Sequence, residues 1–99
     1  MDINKTLEGK TLVIALTDKL DTTSAPALEE DLNNSLNGID TLIFDFSKLN
    51  YLSSAGLRVL LNTQKTMMKQ GKMIIKHPND VIMSVFEMTG FSTILTIED

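Results

Sequence analysis

Four small residues, Ser53-Ser54-Ala55-Gly56, stand between Tyr51-Leu52 and the leucine-rich run that begins at Leu57. Two adjacent hydroxyls in so bare a stretch suit either a nucleophile or a helix cap. A hydrolytic serine wants the strained elbow G-x-S-x-G, and here Leu52 fills the first glycine position. The sole base of suitable type is His77, which precedes Pro78 at a strand end and reads as an exposed or capping side chain. A lone histidine and the absence of cysteine leave no ligand set at metal spacing. A phosphate-binding loop ending at Gly71-Lys72 would need Gly at position 66 and Ser or Thr at 73, where Thr66 and Met73 stand. The run Glu29-Glu30-Asp31 reads as a solvated first helical turn favoured by the helix dipole, not as a cation site. No catalytic residue, metal or cofactor is expected.

The cap reading is sound by itself. Serine is a preferred N-cap, worth about 0.5–2 kcal/mol over alanine. Ser54 fits that position, and Ser53 fits it equally. Gly56 calls for a further reason, because glycine inside a helix costs about 1 kcal/mol relative to alanine. Something must approach this turn closely: a neighbouring strand or loop, or another protein.

The elements that would hold the turn follow from apolar spacing. "INKTLEG" predicts an opening strand and Gly9-Lys10 a turn. "TLVIALT" (11–17) predicts a strand covered on both faces. Thr23 or Ser24 caps a helix with Pro26 in its first turn, running to about Asn37 and stopped by Gly38. "DTLIFDF" (40–46) is a second buried strand. Leu57, Leu60, Leu61, Met67 and Met68, with Gln64 in the gap, predict a helix over 54–70 capped by Gly71. "KMIIKH" is a third core strand. Asn79 and Gly90 bound a short helix, and "STILTIE" predicts a last strand. Most methionines, among Met67, Met68, Met73, Met83 and Met88, are expected to fill the core. The order β-β-α-β-α-β-α-β predicts one α/β domain over residues 1–99, with a mostly parallel sheet, right-handed crossovers and helices packed against it. Loops at the carboxyl edge of such a sheet collect binding sites. Asp21, Ser54 and His77 are therefore expected on one surface.

Bulk properties set the class of partner. The chain has 99 residues, 42% of them hydrophobic, with 22% charged. The formal net charge of -4 and the scattered lysines argue against nucleic acid. The start "MDINKTLEGK" has no signal-peptide pattern, and no apolar run approaches the roughly 20 residues of a membrane span. A cytoplasmic module, bound to neither nucleic acid nor membrane, is expected.

At the level of whole segments, "YLSSAGLRVLL", preceded by "TLIFDFSKL" and "LTDKLDTTSAPAL" and followed by "VFEMTGFSTILTI", resembles the STAS-domain anti-sigma-factor antagonists over essentially the whole chain. The resemblance implies regulation without catalysis. An unphosphorylated antagonist binds an anti-sigma factor that is also a serine kinase, which frees the sigma factor. The kinase then phosphorylates the serine two residues before the signature glycine, which here is Ser54, with Ser53 the less favoured acceptor. A PP2C-type phosphatase reverses the mark. The family often places Asp directly before the acceptor, where this chain has Ser53. The implied partner surface comprises Asp21, Thr22, Ser53, Ala55, Gly56 and Arg58. Other roles the residues leave open are a STAS adaptor or scaffold in a transporter or signalling assembly, a minimal hydrolase using Ser54 and His77, and a nucleotide-binding module.

Overall fold

Leu12, Ile14 and Leu16 alternate with half-buried residues along one strand, and Leu42, Phe44 and Phe46 do so along the next. In a computed structural model, which describes residues 1–98, these become the centre of a five-stranded sheet. The elements are β1 (Ile3–Glu8), β2 (Thr11–Leu20), α1 (Ala25–Ser35), β3 (Thr41–Leu52), α2 (Ser54–Met68), β4 (Lys72–Lys76), α3 (Asp80–Thr89), a 3-10 turn (Phe91–Thr93) and β5 (Ile97–Glu98). The strands lie side by side in chain order. β1 runs antiparallel to β2, and all other pairs are parallel. The expected α/β architecture is what the chain adopts.

Register explains where the core sits. Leu12 pairs with Leu42 and Leu42 with Met73, while Ile14 pairs with Phe44 and Phe44 with Ile75. Paired residues share a face, so these buried side chains form one apolar surface. Leu28 and Leu32 of α1, Leu57, Leu60 and Met67 of α2, and Ile82 and Phe86 of α3 close onto it in a single cluster. β2 was expected to be covered on both faces. Its other face, with Val13 and Ala15 beside Ile43, stays half-buried, because the buried helix side chains and the buried strand side chains belong to that one cluster.

Several expectations need correction. β2 and β3 run on past 17 and 46, to Leu20 and Leu52. Their pairing shifts between Ala15 and Thr17 and again between Asp18 and Lys19, so the inward residues of β3 become Phe46, Leu49 and Leu52, three apart. A bulged strand breaks the period of two on which strand recognition relies. The last strand shrinks to two residues, because Ile94 and Leu95 both donate to the Phe91 carbonyl (3.0 and 2.8 Å) and wind that segment into a turn. Met67 and Met73 are buried, but Met68 and Met88 are exposed. In α2 the gap on the buried side is filled by Thr63, whose hydroxyl donates to the Val59 carbonyl at 2.7 Å.

The acidic run is not the first turn of α1, since the helix starts at Ala25 and carries no acid there. Asp31 instead accepts from Lys5 Nζ of β1 at 2.6 Å and from the Ser35 hydroxyl at 2.9 Å. Gly71 is not the cap of α2 either; that position is Lys69. Gly71 passes directly against the Asp40 backbone, and Lys72 N–H donates to Asp40 O at 2.9 Å.

Candidate functional site

The extra length of β2 and β3 carries two loops past the ends of the other strands. The loops are tied together where Ser53 N–H donates to the Leu20 carbonyl at 2.9 Å. Ser53 is extended (φ −92°, ψ 173°) and caps α2, its Oγ accepting from Gly56 N–H at a long 3.4 Å. Ser54 is therefore the first helical residue, not the cap. Its side chain is exposed and has no hydrogen-bond partner among the described residues. The two serines thus divide the possible roles. One is half-buried and occupied, and the other presents a free hydroxyl at a helix N-terminus. Replacing Ser53 with Ala is expected to cost about 0.5–1 kcal/mol, the low end for a lost cap because the bond is long, as read from denaturant midpoints.

Gly56 is buried, and the close approach it permits is internal. A Cβ there would lie 2.7 Å from Leu52 Cδ1, 2.8 Å from Leu20 Cγ and 3.0 Å from Leu20 O. Glycine at 56 lets the first turn of α2 sit down on the ends of β2 and β3. Packed this way, Gly56 sets the height of Ser54 and Ala55 above the sheet. Arg58 is exposed one turn after Ser54, at the i, i+4 spacing that places two side chains on one helix face.

The facing loop, Asp21 to Ser24, is closed by its own side chains. Asp21 Oδ1 accepts the N–H groups of Thr23 (3.0 Å) and Ser24 (3.1 Å), and Ser24 Oγ accepts Asp21 N–H at 2.9 Å. The Ser24 N–H bond, with help from Thr23, the Ser24 hydroxyl and nearby Lys19, holds the Asp21 carboxyl below its usual value against the raising effect of burial. Asp21 is half-buried and Thr22 exposed, so this loop adds a fixed negative charge beside an uncharged tip.

Asp31 and Asp45 are also held low. For Asp31 the first cause is the Lys5 hydrogen bond. For Asp45, burial raises the carboxyl, but the Ser47 N–H and hydroxyl, with His77 and Lys48 near, outweigh it. Each of these groups binds its proton less tightly folded than unfolded. Their stabilisation is complete above the ordinary carboxylate value of about 3.9 and disappears as pH falls through the lower folded values. Melting temperature should be flat from neutral pH to about 5 and fall steeply below about 4. A melting temperature that held constant through that acid range would contradict this.

His77 does not join the site. Lys76 pairs with Asp45, so β4 ends level with the middle of β3, while β3 continues to Leu52. At about 3.3 Å per residue, Ser54 lies on the order of 20 Å further along the strand direction. His77 itself is exposed in the left-handed region (φ 60°) and donates its N–H to Glu98 O at 3.1 Å. The pairing of Ser54 with His77 that a hydrolase would need is not built. A hollow of about 460 Å³ lies between α1 and α2, lined by residues such as Asn33, Asn62 and Gln70, and does not include Ser54. Ser54 is exposed at the first position of α2.

Comparison with known proteins bears on this geometry. The STAS domain family model matches residues 2–99. The chain belongs to the STAS domain family. A relative from Bordetella bronchiseptica, named as an anti-sigma factor antagonist, BtrV, is 31% identical over 88 residues, covering 87% of this chain and 76% of the relative. Among solved structures, the anti-sigma factor antagonist SpoIIAA in its unphosphorylated form superposes with a TM-score of 0.85 at 19% identity, over 99% of this chain and 89% of SpoIIAA. The phosphorylated form of SpoIIAA, a Bacillus cell fate determinant, superposes at 0.77 and 19% identity, over 99% and 92% of the two chains. At these identities the two structures establish a shared fold. Among the described residues of this STAS chain, no helix is long and apolar enough to cross a membrane.

Proposed function

We propose that the chain is an anti-sigma factor antagonist whose docking is switched off by phosphorylation of Ser54. The observation that carries this reading is the exposed, unbonded Ser54 hydroxyl at the first position of α2, beside a Ser53 already committed to the cap. Family membership and the BtrV relative supply the class of partner, an anti-sigma factor. That SpoIIAA exists in an unphosphorylated and a phosphorylated form on this fold supports the chemistry.

In the proposed reaction, Ser54 Oγ attacks the γ-phosphorus of ATP held by an anti-sigma factor that is also a serine kinase, and ADP leaves. The base that takes the hydroxyl proton comes from the kinase, since no side chain of this chain hydrogen-bonds to Ser54. The product carries about −1.5 to −2 charges. At the start of α2 that charge meets the positive end of the helix dipole, and the N–H groups of Ser54 and Ala55 have no partner among the described residues. The domain tolerates the phosphate, whereas a partner packed over Ser54, Ala55, Arg58 and the Asp21-Thr22 loop does not. A PP2C-type phosphatase restores the docking form, and the cycle runs in the cytoplasm. Incubation with such kinases and ATP, followed by intact-mass measurement and site mapping, tests the assignment. One added phosphate at Ser54 is expected. Transfer to Ser53, or none with any kinase that binds the chain, would overturn it.

A further inference from the structure

The free edge of β1 carries a self-complementary pattern. No strand lies beyond it among the described residues. Asp2 O accepts from Thr17 N–H, and Gly9-Lys10 joins Glu8 to Thr11 as a two-residue hairpin turn. In an antiparallel pair the backbone groups alternate, so those of Ile3, Lys5 and Leu7 point outwards to the open edge. The side chains of Lys5 and Leu7 lie on the helix-bearing face, because they pair with Ile14 and Leu12. Leu7 is 61% exposed. Beside it is a shallow hollow of about 280 Å³ lined by Lys5, Leu7, Leu12, Ser35 and Ile39. One edge therefore holds both an apolar knob and an apolar recess, as a two-fold interface between identical chains requires.

We infer that β1 pairs antiparallel with β1 of a second copy, placing Thr6 opposite Thr6 on the two-fold axis. A two-fold perpendicular to the sheet keeps both helix layers on one side. It also restricts the registers to those in which paired residue numbers sum to an even value. With a sum of 10, Lys5 would face Lys5 of the partner, a direct like-charge pair, which is unfavourable. With a sum of 12, Lys5 faces the partner's Leu7, which then sits over the recess. Asn4 faces the partner's Glu8, and Asp2 comes opposite the partner's Lys10 at both ends. The free N–H and C=O groups of Lys5 and Leu7 then bond across the axis. Two-fold pairing reverses the strands, so the two Ser54 surfaces point to opposite ends of the joined sheet and both remain free to dock.

The chain has no cysteine, which makes a crosslinking test unambiguous. Directly opposed residues of a non-hydrogen-bonded pair have Cα atoms about 4.5 Å apart, within disulfide range. Thr6→Cys should form a disulfide-linked dimer on mild oxidation, whereas Asn4→Cys, about 13 Å from its counterpart at four residues' offset, should not. Wild-type chain should sediment at twice the monomer mass as concentration rises. Leu7→Lys, which opposes Lys5 of the partner, should raise the dissociation constant roughly tenfold. Leu7→Pro should abolish association without disturbing β2, because the Leu7 N–H points outwards. Sedimentation as a monomer at every concentration, or equal crosslinking at positions 4 and 6, overturns the inference.

Discussion

Ser54→Asp is expected to weaken binding of the anti-sigma factor partner by a few hundredfold or more, while Ser54→Ala binds like the wild type and accepts no phosphate. The size follows from desolvation. A charge buried at an interface without a counter-charge costs about 3–5 kcal/mol, and each 1.4 kcal/mol is about tenfold in affinity. The first turn of α2 cannot swing aside to relieve it. Gly56 seats that turn on Leu20 and Leu52, and Ser53 N–H is bonded to the Leu20 carbonyl. The added carboxylate lies at a helix N-terminus, where negative charge is favourable by about 0.3–1 kcal/mol, so Ser54→Asp should melt no lower than wild type. Titration calorimetry and thermal melts on the same samples separate the two effects. A loss of binding accompanied by loss of fold would contradict the mechanism.

Gly71→Ala is expected to have the largest effect on stability, about 3 kcal/mol, the upper end for overpacking. An added methyl at Gly71 would fall against the Asp40 carbonyl oxygen and 2.6 Å from its carbon. That carbonyl accepts the Lys72 N–H that sets β4 beside β3, so neither strand can retreat without losing the bond. Gln70 Nε2 is anchored to the carbonyls of Leu36 and Ile39, both at 2.7 Å, which fixes the turn from the other side. At about 4–8 °C per kcal/mol for a domain of this size, the melting temperature should fall by roughly 15 °C. A drop of only a degree or two would show that the turn has slack.

The two glycines mark where the sequence stops being legible. Gly71 after a helix reads as a cap, and Gly56 reads as room for a neighbouring strand or loop or for another protein, because a glycine announces close approach but not the approaching group. Asp40 is the group at Gly71, and Leu20, together with the nearby Leu52, is the group at Gly56; Asp40 and Leu20 are both far from their glycines in the chain. Local signals fared better. Asn79 accepts from Ile82 N–H at 2.9 Å and Gly90 takes the left-handed conformation (φ 79°), as their types suggest for the two ends of α3. The apolar runs at 11–17 and 40–46 marked where β2 and β3 lie, though not that one face of β2 stays half-buried. Their continuation was hidden because a bulge turned the inward spacing from two to three at Phe46, Leu49 and Leu52. That hidden length is what removes His77 from the site and leaves Ser54 at the tip. Two adjacent serines are enough to propose a cap and an acceptor, but which is which depends on the extended backbone of Ser53.

The central claim is that charge placed on one exposed hydroxyl spoils docking and spares the fold. The most direct measurement is titration of an anti-sigma factor kinase that binds this chain with the unmodified protein and with protein carrying phosphoserine at position 54, each checked by circular dichroism. The account predicts superimposable spectra and melting curves with a few hundredfold or greater loss of affinity for the phosphorylated form. Equal affinities would contradict it, as would a phosphorylated chain that had lost its fold.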